Sequence, residues 1–343
     1  MSGAIQEALE FLAGGRSLTA PQAHDAVALI MTGGVSEPLI AAFLTALRVR
    51  GETADELAGA VTAARGGSIG WPSGLDLPPT LDTCGTGGDG ACTVNISTAT
   101  AIVVAACGIP VAKHGNRSAS GNSGSAEVLA ELGVAVEAEP PVLVRCLREL
   151  NLTFLFAPRF HPALRFAVPV RRQLPFRTLF NLVGPLANPA RPAFQLIGVP
   201  EPRLADLVAD AVARLGVVRA AIVTGSDGLD EVSLGGPTRV RWVEDGQVTP
   251  RTWSLADFDL GQVEAGALRV AGPPESAQAI RDLLGGRPGP VRATVLANAA
   301  AALLVAGVTD KLADGVELAA GAIDRGNAAN LLVRWAEASH AAG

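Results

Sequence analysis

Residues 111–127 read Val-Ala-Lys-His-Gly-Asn-Arg-Ser-Ala-Ser-Gly-Asn-Ser-Gly-Ser-Ala-Glu. An apolar lead-in ends in a lysine, a histidine and an asparagine. Nine of the eleven residues 115–125 are Ser, Gly or Asn, and helical spacing resumes at Ser125. The pattern is strand, polar loop, helix. Such a strand end presents an ammonium, an imidazole and an amide at the carboxyl edge of a parallel sheet, where open α/β folds bind ligands. Lys113 is one of only two lysines in the chain, the other being Lys311. A solvated loop is the competing reading; the Ser, Gly and Asn composition favours an anionic ligand.

The same rhythm continues on both sides. Apolar runs of strand length (Pro110–Lys113, Leu152–Phe156, Phe194–Val199, Ala220–Thr224) alternate with helical segments (Ser97–Cys107, Ser125–Leu132, Pro141–Leu150, Arg203–Leu215), predicting a mostly parallel sheet flanked by helices. Glu244-Asp245-Gly246 between Thr238–Trp242 and Gln247–Trp253 predicts a hairpin. The chain closes with helices over Glu275–Leu284, Val291–Ala306, Leu312–Arg325 and Ala328–Ala338. The first 65 residues read differently, as short helices. Thr19 with Gln22 and Thr53 with Glu56 are capping-box starts, and Gly33-Gly34, Gly51 and Gly66-Gly67 are stops. Residues 66–80 carry the Gly, Pro and Ser punctuation of a linker. The expected fold class is α/β: a small all-helical domain over residues 1–70, then a larger α/β domain over 76–343 with a mostly parallel central sheet flanked by helices.

Upstream of the opening stretch lies Asp82–Gly90, DTCGTGGDG. Four glycines in six residues require positive φ or a close approach, and consecutive amides in such a loop form an anion nest. A plain tight turn is the simpler alternative. Gly85-x-Gly87-x-x-Gly90 matches a dinucleotide fingerprint formally, but the acidic residue about 20 positions on is missing. A P-loop needs Gly-Lys-Ser/Thr, whereas Ala91-Cys92 follow Gly90. The next string, Thr93-Val94-Asn95-Ile96-Ser97-Thr98, precedes an apolar helix. Ser97 or Thr98 is expected as its N-cap, and the exposed amides add donors for phosphate. Arg171 and Arg172 stand in an apolar segment, where an arginine suits a ligand carboxylate or simply a helix surface. Gly228-Leu229-Asp230-Glu231 follows an expected strand, so its two carboxylates fall at a carboxyl end; beside a phosphate nest they are the hard oxygen ligands that Mg²⁺ uses, whereas alone the pair would be an ordinary loop.

Composition narrows the classes. The chain has 343 residues, enough for two or three lobes, and 49% are hydrophobic, which a disordered chain does not carry. Its net charge of −6 lacks the basic field that nucleic acid or an anionic membrane favours. Absence of tyrosine excludes every phenolic acid, base or nucleophile. Cys84, Cys92, Cys107 and Cys146 include no C-x-x-C pair and read as reduced thiols. With no basic start followed by an apolar run, and no apolar stretch of the roughly 20 residues needed to cross a bilayer, a cytoplasmic protein is expected.

Taken together, DTCGTGGDG, TVNIST, KHGNRS…SGSAEVLAELG, FAPRFHPALR, VRRQLPFRTLFNLVGPLANPA, QLIGV and GLDE resemble the anthranilate phosphoribosyltransferases over almost the whole chain. The resemblance implies transfer of a phosphoribosyl group from 5-phosphoribosyl 1-pyrophosphate to anthranilate in tryptophan biosynthesis, with Mg²⁺, two ions per subunit. It also implies that helical parts of residues 165–190 join the first domain, through which a homodimer forms. Gly85, Gly87, Gly88, Asp89, Thr93, Asn95, Ser97, Thr98, Lys113 and Ser125 would then hold the phosphoribosyl donor. Gly85, Asn116 and Arg171 would hold anthranilate, with His114, His161 and Pro185 along its path. Ser97, Asp230 and Glu231 would ligate metal. No covalent nucleophile is implied.

The chain departs from the family pattern at Gly121-Asn122, at Pro175 where Gly is usual, and at Glu127 in place of Asp. Two rivals remain: a pyrimidine nucleoside phosphorylase of the same fold, which would lack the Arg171…RTxFN setting, and a non-catalytic nucleic-acid binder, which would need a basic face.

Overall fold

The structure, a computed structural model, describes residues 3–72, 77–117 and 123–341. Helices α1 (Gly3–Ala13), α2 (Ala20–Met31), α3 (Glu37–Arg50) and α4 (Ala54–Gly66) form the opening unit. Both expected capping boxes are present: Thr19 with Gln22 and Thr53 with Glu56. Glu56 does more than cap. Fully buried, it accepts the Leu18 amide at 2.8 Å, the Thr53 amide at 2.8 Å and the Arg50 guanidinium, tying the starts of α2 and α4 to the end of α3.

Among the described residues seven strands follow: β1 (Leu81–Gly85), β2 (Val111–Gly115), β3 (Leu152–Phe156), β4 (Phe194–Gly198), β5 (Arg219–Gly225), β6 (Thr238–Glu244) and β7 (Gln247–Trp253). They make one sheet in the order β3-β2-β1-β4-β5-β6-β7. The first five are parallel and the last two, a hairpin turning at Asp245-Gly246, are antiparallel. The chain winds from β1 outward to β3, then returns to the other side of β1. This reversal between β1 and β4 makes loops leave the sheet in opposite directions and opens a crevice at its carboxyl edge.

Alternate residues of each strand feed two cores. Leu196, Ala221 and Val223 face one side, with α5 (Ile96–Ala106) and the helix Pro290–Val305. Ile197, Ala220 and Ile222 face the other, sharing a core with α1–α4, the helix Pro202–Arg214 and Ala167, Val170, Leu179, Phe180 and Leu186. The opening helices therefore pack together with the 165–190 region. The expected boundary between residues 70 and 76 falls partly on residues 73–76, outside the described residues.

Three local expectations are corrected. The Gly-rich segment begins as a strand, β1, which its glycines concealed. β2 runs on to Gly115, so His114 lies inside the sheet. Asn95, not Ser97 or Thr98, caps α5, because its side-chain oxygen reaches the Thr98 amide at 3.1 Å.

β1 and β2 share one register pair, Leu81 with Val111, before diverging. Asp82 bridges the gap. Fully buried, it accepts the His114 amide at 3.2 Å and Asn188 Nδ2 at 2.8 Å, while the same amide nitrogen donates to the Ala112 carbonyl at 2.8 Å.

Candidate active site

The site is built where β1 and β4 end. Gly85 and Gly198 are partners in register, and both are glycine because Asp230 lies against them. A Cβ on Gly85 would stand 2.4 Å from Asp230 Oδ2, and one on Gly198 would stand 1.5 Å from the Asp230 carbonyl oxygen. Beyond Gly85 the chain turns through Gly87 and Gly88, whose φ angles of +65° and +84° suit glycine. The Gly87 amide donates to Asp230 Oδ2 at 2.8 Å. Asp89 accepts the Ala91 amide at 3.1 Å within the same loop.

Asp230 and Glu231 follow β5. They are held from beneath by Asn298, fully buried on the helix Pro290–Val305, whose side chain takes the Val232 amide at 3.0 Å and gives a hydrogen bond to the Val232 carbonyl at 2.9 Å. Burial, with the charge of Asp89, raises the Asp230 carboxyl to about 6. Burial and the charge of Asp230 push Glu231 well above the usual carboxylate range. Lys113 answers part of this charge. At 2% exposure its ammonium donates to the Thr83 carbonyl and to Ser97 Oγ at 3.1 Å, and burial lowers its pKa.

Among the described residues no group of three or more His, Cys, Asp or Glu side chains is placed to hold a metal ion by itself. The open arrangement suits Mg²⁺, which keeps waters and shares substrate phosphates. The charges of Asp89, Asp230 and Glu231 oppose one another, which a nearby cation would relieve.

On the other side of the crevice, His114 and His161 meet edge to face at 5.2 Å. Burial holds both below the usual imidazole value, His114 at about 3, so both rings are neutral near pH 7. His161 Nδ1 lies 3.2 Å from the Ala64 carbonyl of α4. Pro185, inside the helix Leu179–Leu186, offers its carbonyl to the Cys84 thiol. Asn116 accepts Ser125 Oγ on its carbonyl at 3.2 Å and the Arg117 amide on its side chain at 2.7 Å. Arg171 lies on the helix Val168–Gln173, its guanidinium 5.9 Å from the Phe180 ring centre. Among the described residues no hydrogen bond or ion pair joins Arg171 to the rest of the site. Thr93 forms an isolated bridge with Arg269.

Among the described residues, Thr98 Oγ1, Arg171 Nε and Arg177 Nη1 are buried without a partner, as are polar atoms elsewhere in the molecule, Gln195 and Thr153 among them. A separate cleft of about 750 Å³, lined among others by Arg65, Trp71, Thr80 and Arg191, opens at the amino ends of β1 and β4. It has none of these acidic groups, and its Arg65 lies close enough to lower the His114 and His161 imidazoles.

Sequence reading missed four residues. Arg177 donates to the Gly87 carbonyl at 3.2 Å; its place in the RTLFN string was visible, but its partner was not. Asp82 and Asn188 look like ordinary loop polars, and Gly198 like an ordinary strand end. Of the departures, Glu127 stands in the first turn of the helix Ser125–Glu131, Pro175 is exposed between two helices, and Gly121-Asn122 lie outside the described residues.

Residues 6–66 match the model of the glycosyl transferase family, helical bundle domain, and residues 77–329 that of the glycosyl transferase family, a/b domain. The chain is 49% identical to the anthranilate phosphoribosyltransferase of Thermomicrobium roseum over 98% of its length and 97% of the relative's. It is 48% identical to anthranilate phosphoribosyltransferase 2 of Streptomyces coelicolor over 94% and 96%. The Thermus thermophilus enzyme superposes with a TM-score of 0.90 at 39% identity, covering 97% of this chain and 99% of that one. The Saccharomyces cerevisiae anthranilate phosphoribosyltransferase in complex with PRPP and Mg gives 0.90 at 27% identity, covering 99% and 98%.

Proposed function

The chain belongs to the anthranilate phosphoribosyltransferase family, and we propose that it transfers the phosphoribosyl group of 5-phosphoribosyl 1-pyrophosphate to anthranilate, giving N-(5-phosphoribosyl)anthranilate and pyrophosphate for tryptophan biosynthesis. The observation carrying this reading is the joint presence, at one sheet edge, of an amide loop, a carboxylate pair and a buried lysine.

Displacing pyrophosphate from ribose C1 passes through an oxocarbenium-like state, so the chain must stabilise a departing anion and hold an amine in line. Gly85, Gly87, Gly88 and Asp89 form the pyrophosphate loop. Thr93, Asn95, Ser97 and Thr98 add the donors at the start of α5, and Lys113 and Ser125 bind the donor's phosphates. Asp230, Glu231 and Ser97 hold magnesium, two ions per subunit. Magnesium, when bound, neutralises the developing charge on pyrophosphate oxygens. Removal of a single such electrostatic donor costs about 3–4 kcal/mol at most.

Anthranilate lies between Gly85, Asn116 and Arg171, its carboxylate on the guanidinium and its ring toward His114, His161 and Pro185. Neutral imidazoles suit this wall, since a charged one would compete with Arg171 for the carboxylate. The attacking arylamine is uncharged at pH 7, so no covalent nucleophile or strong base is required.

The chain is further proposed to act as a cytoplasmic homodimer through its helical domain, where Val49 of α3 is 82% exposed. No helix among the described residues is long and apolar enough to cross a membrane. The test of function is loss of anthranilate fluorescence on adding 5-phosphoribosyl 1-pyrophosphate and Mg²⁺. Phosphorolysis of uridine or thymidine in place of that loss refutes it.

A further inference from the structure

The backbone of Gly87 is held on both of its peptide groups. Its N–H donates to Asp230 Oδ2 at 2.8 Å, and its C=O accepts from Arg177 Nη2 at 3.2 Å. Gly87 and Gly88 belong to neither helix nor strand and both take positive φ, so these two side chains, with Thr86, whose amide donates to the Gly198 carbonyl at 2.9 Å and whose hydroxyl donates to the Gly87 carbonyl at 3.4 Å, set which way the loop's amides face. Arg177 also fills the space beside Gly88, where a Cβ would stand 2.5 Å from Nη2. Its other arm, Nη1, is buried without a partner among the described residues. A guanidinium is a rigid fork able to hold two acceptors at once.

We infer that Arg177 is a positioning residue of the phosphoribosyl donor site: one arm orients the Gly87 peptide, and the buried second arm receives a pyrophosphate oxygen when the donor seats against the loop. This rests on the function proposed above. It divides the segment's arginines between the two substrates, with Arg171 serving the aromatic acid and Arg177 the leaving group.

The test separates the substrates kinetically. In Arg177→Gln the KM for 5-phosphoribosyl 1-pyrophosphate and the inhibition constant of pyrophosphate, both at saturating Mg²⁺, rise about tenfold or more, while the anthranilate KM stays within about twofold. Arg177→Lys keeps the charge and the aliphatic stem but has no fork, so it remains within about threefold of the Gln variant for the donor. Thermal unfolding checks that both variants fold; should the Gln variant not fold, the donor KM of the Lys variant decides. Unchanged donor constants, parallel rises for both substrates, or full rescue by Lys overturn the inference. A wild-type chain inert toward both substrates would instead remove the proposed function.

Discussion

The backbone carbonyl of Asp230 occupies the position that a side chain on Gly198 would take, 1.5 Å from the ideal Cβ. One strand end is thus kept bare so that an acidic loop from the next strand can lie across the crevice.

Gly198→Ala therefore forces backbone against backbone, with no flexible side chain to yield. The expected cost is about 1–3 kcal/mol of stability, with loss of most activity because Asp230 and Glu231 move with the loop. Denaturant unfolding and initial rates check this; a variant of normal rate would detach the loop's position from catalysis.

Glu231 is held far above its usual range by burial and by Asp230. Glu231→Gln relieves that repulsion, so the metal-free protein gains about 0.5–2 kcal/mol while its Mg²⁺-dependent rise in unfolding temperature is lost. Scanning calorimetry with and without Mg²⁺ reads both effects, and an unchanged metal titration removes Glu231 from the site. In the wild type, Mg²⁺ affinity weakens as pH falls, because Glu231, raised well above its usual range, and Asp230, raised to about 6, take up protons.

Asp82 offers a cleaner pH measurement. Its carboxyl titrates at about 6 in the fold, raised by burial, and at about 3.9 unfolded. The folded state retains the proton to higher pH. Its contribution to stability is therefore fully present below pH 4 and lost as pH rises through 6. Relative to Asp82→Asn, which has no such proton, the wild type loses about 1–3 kcal/mol across that window. Urea unfolding of both proteins between pH 4 and 7 tests this; parallel curves would mean that Asp82 does not titrate there.

Arg171→Ala raises the anthranilate KM by about 10–100-fold, as loss of a charge-assisted pair requires, and leaves the donor KM close to wild type. Steady-state kinetics with each substrate varied in turn show the split, and equal effects on both would contradict the role.

Much of this was legible before any coordinates. The strands at Leu152–Phe156 and Ala220–Thr224, the capping boxes at Thr19 and Thr53, and the hairpin at Asp245-Gly246 are local patterns that express themselves locally. β1 escaped notice because Gly85 and the glycines after it signal a turn, while Leu81, Asp82, Thr83 and Cys84 alone make a short, half-polar run. Sequence offers Ser97 or Thr98 as the cap of α5, and only backbone geometry shows that Asn95 takes that place.

The candidate ligand groups were likewise readable as strings, each with the chemistry its residue types allow. Their mutual arrangement was not. Gly87 meets Asp230 across 143 residues and Arg177 across 90, and Asp82 finds Asn188 across 106. Sequence alone determined which segments carry donors, acceptors and charge, because side-chain chemistry and helical or extended spacing are properties of neighbouring residues. Tertiary structure alone decided which segments meet and how far their carboxyls, imidazoles and ammonium depart from solution behaviour. Strand order around the reversal sets the meetings, and exclusion of water at the sheet edge sets the charges.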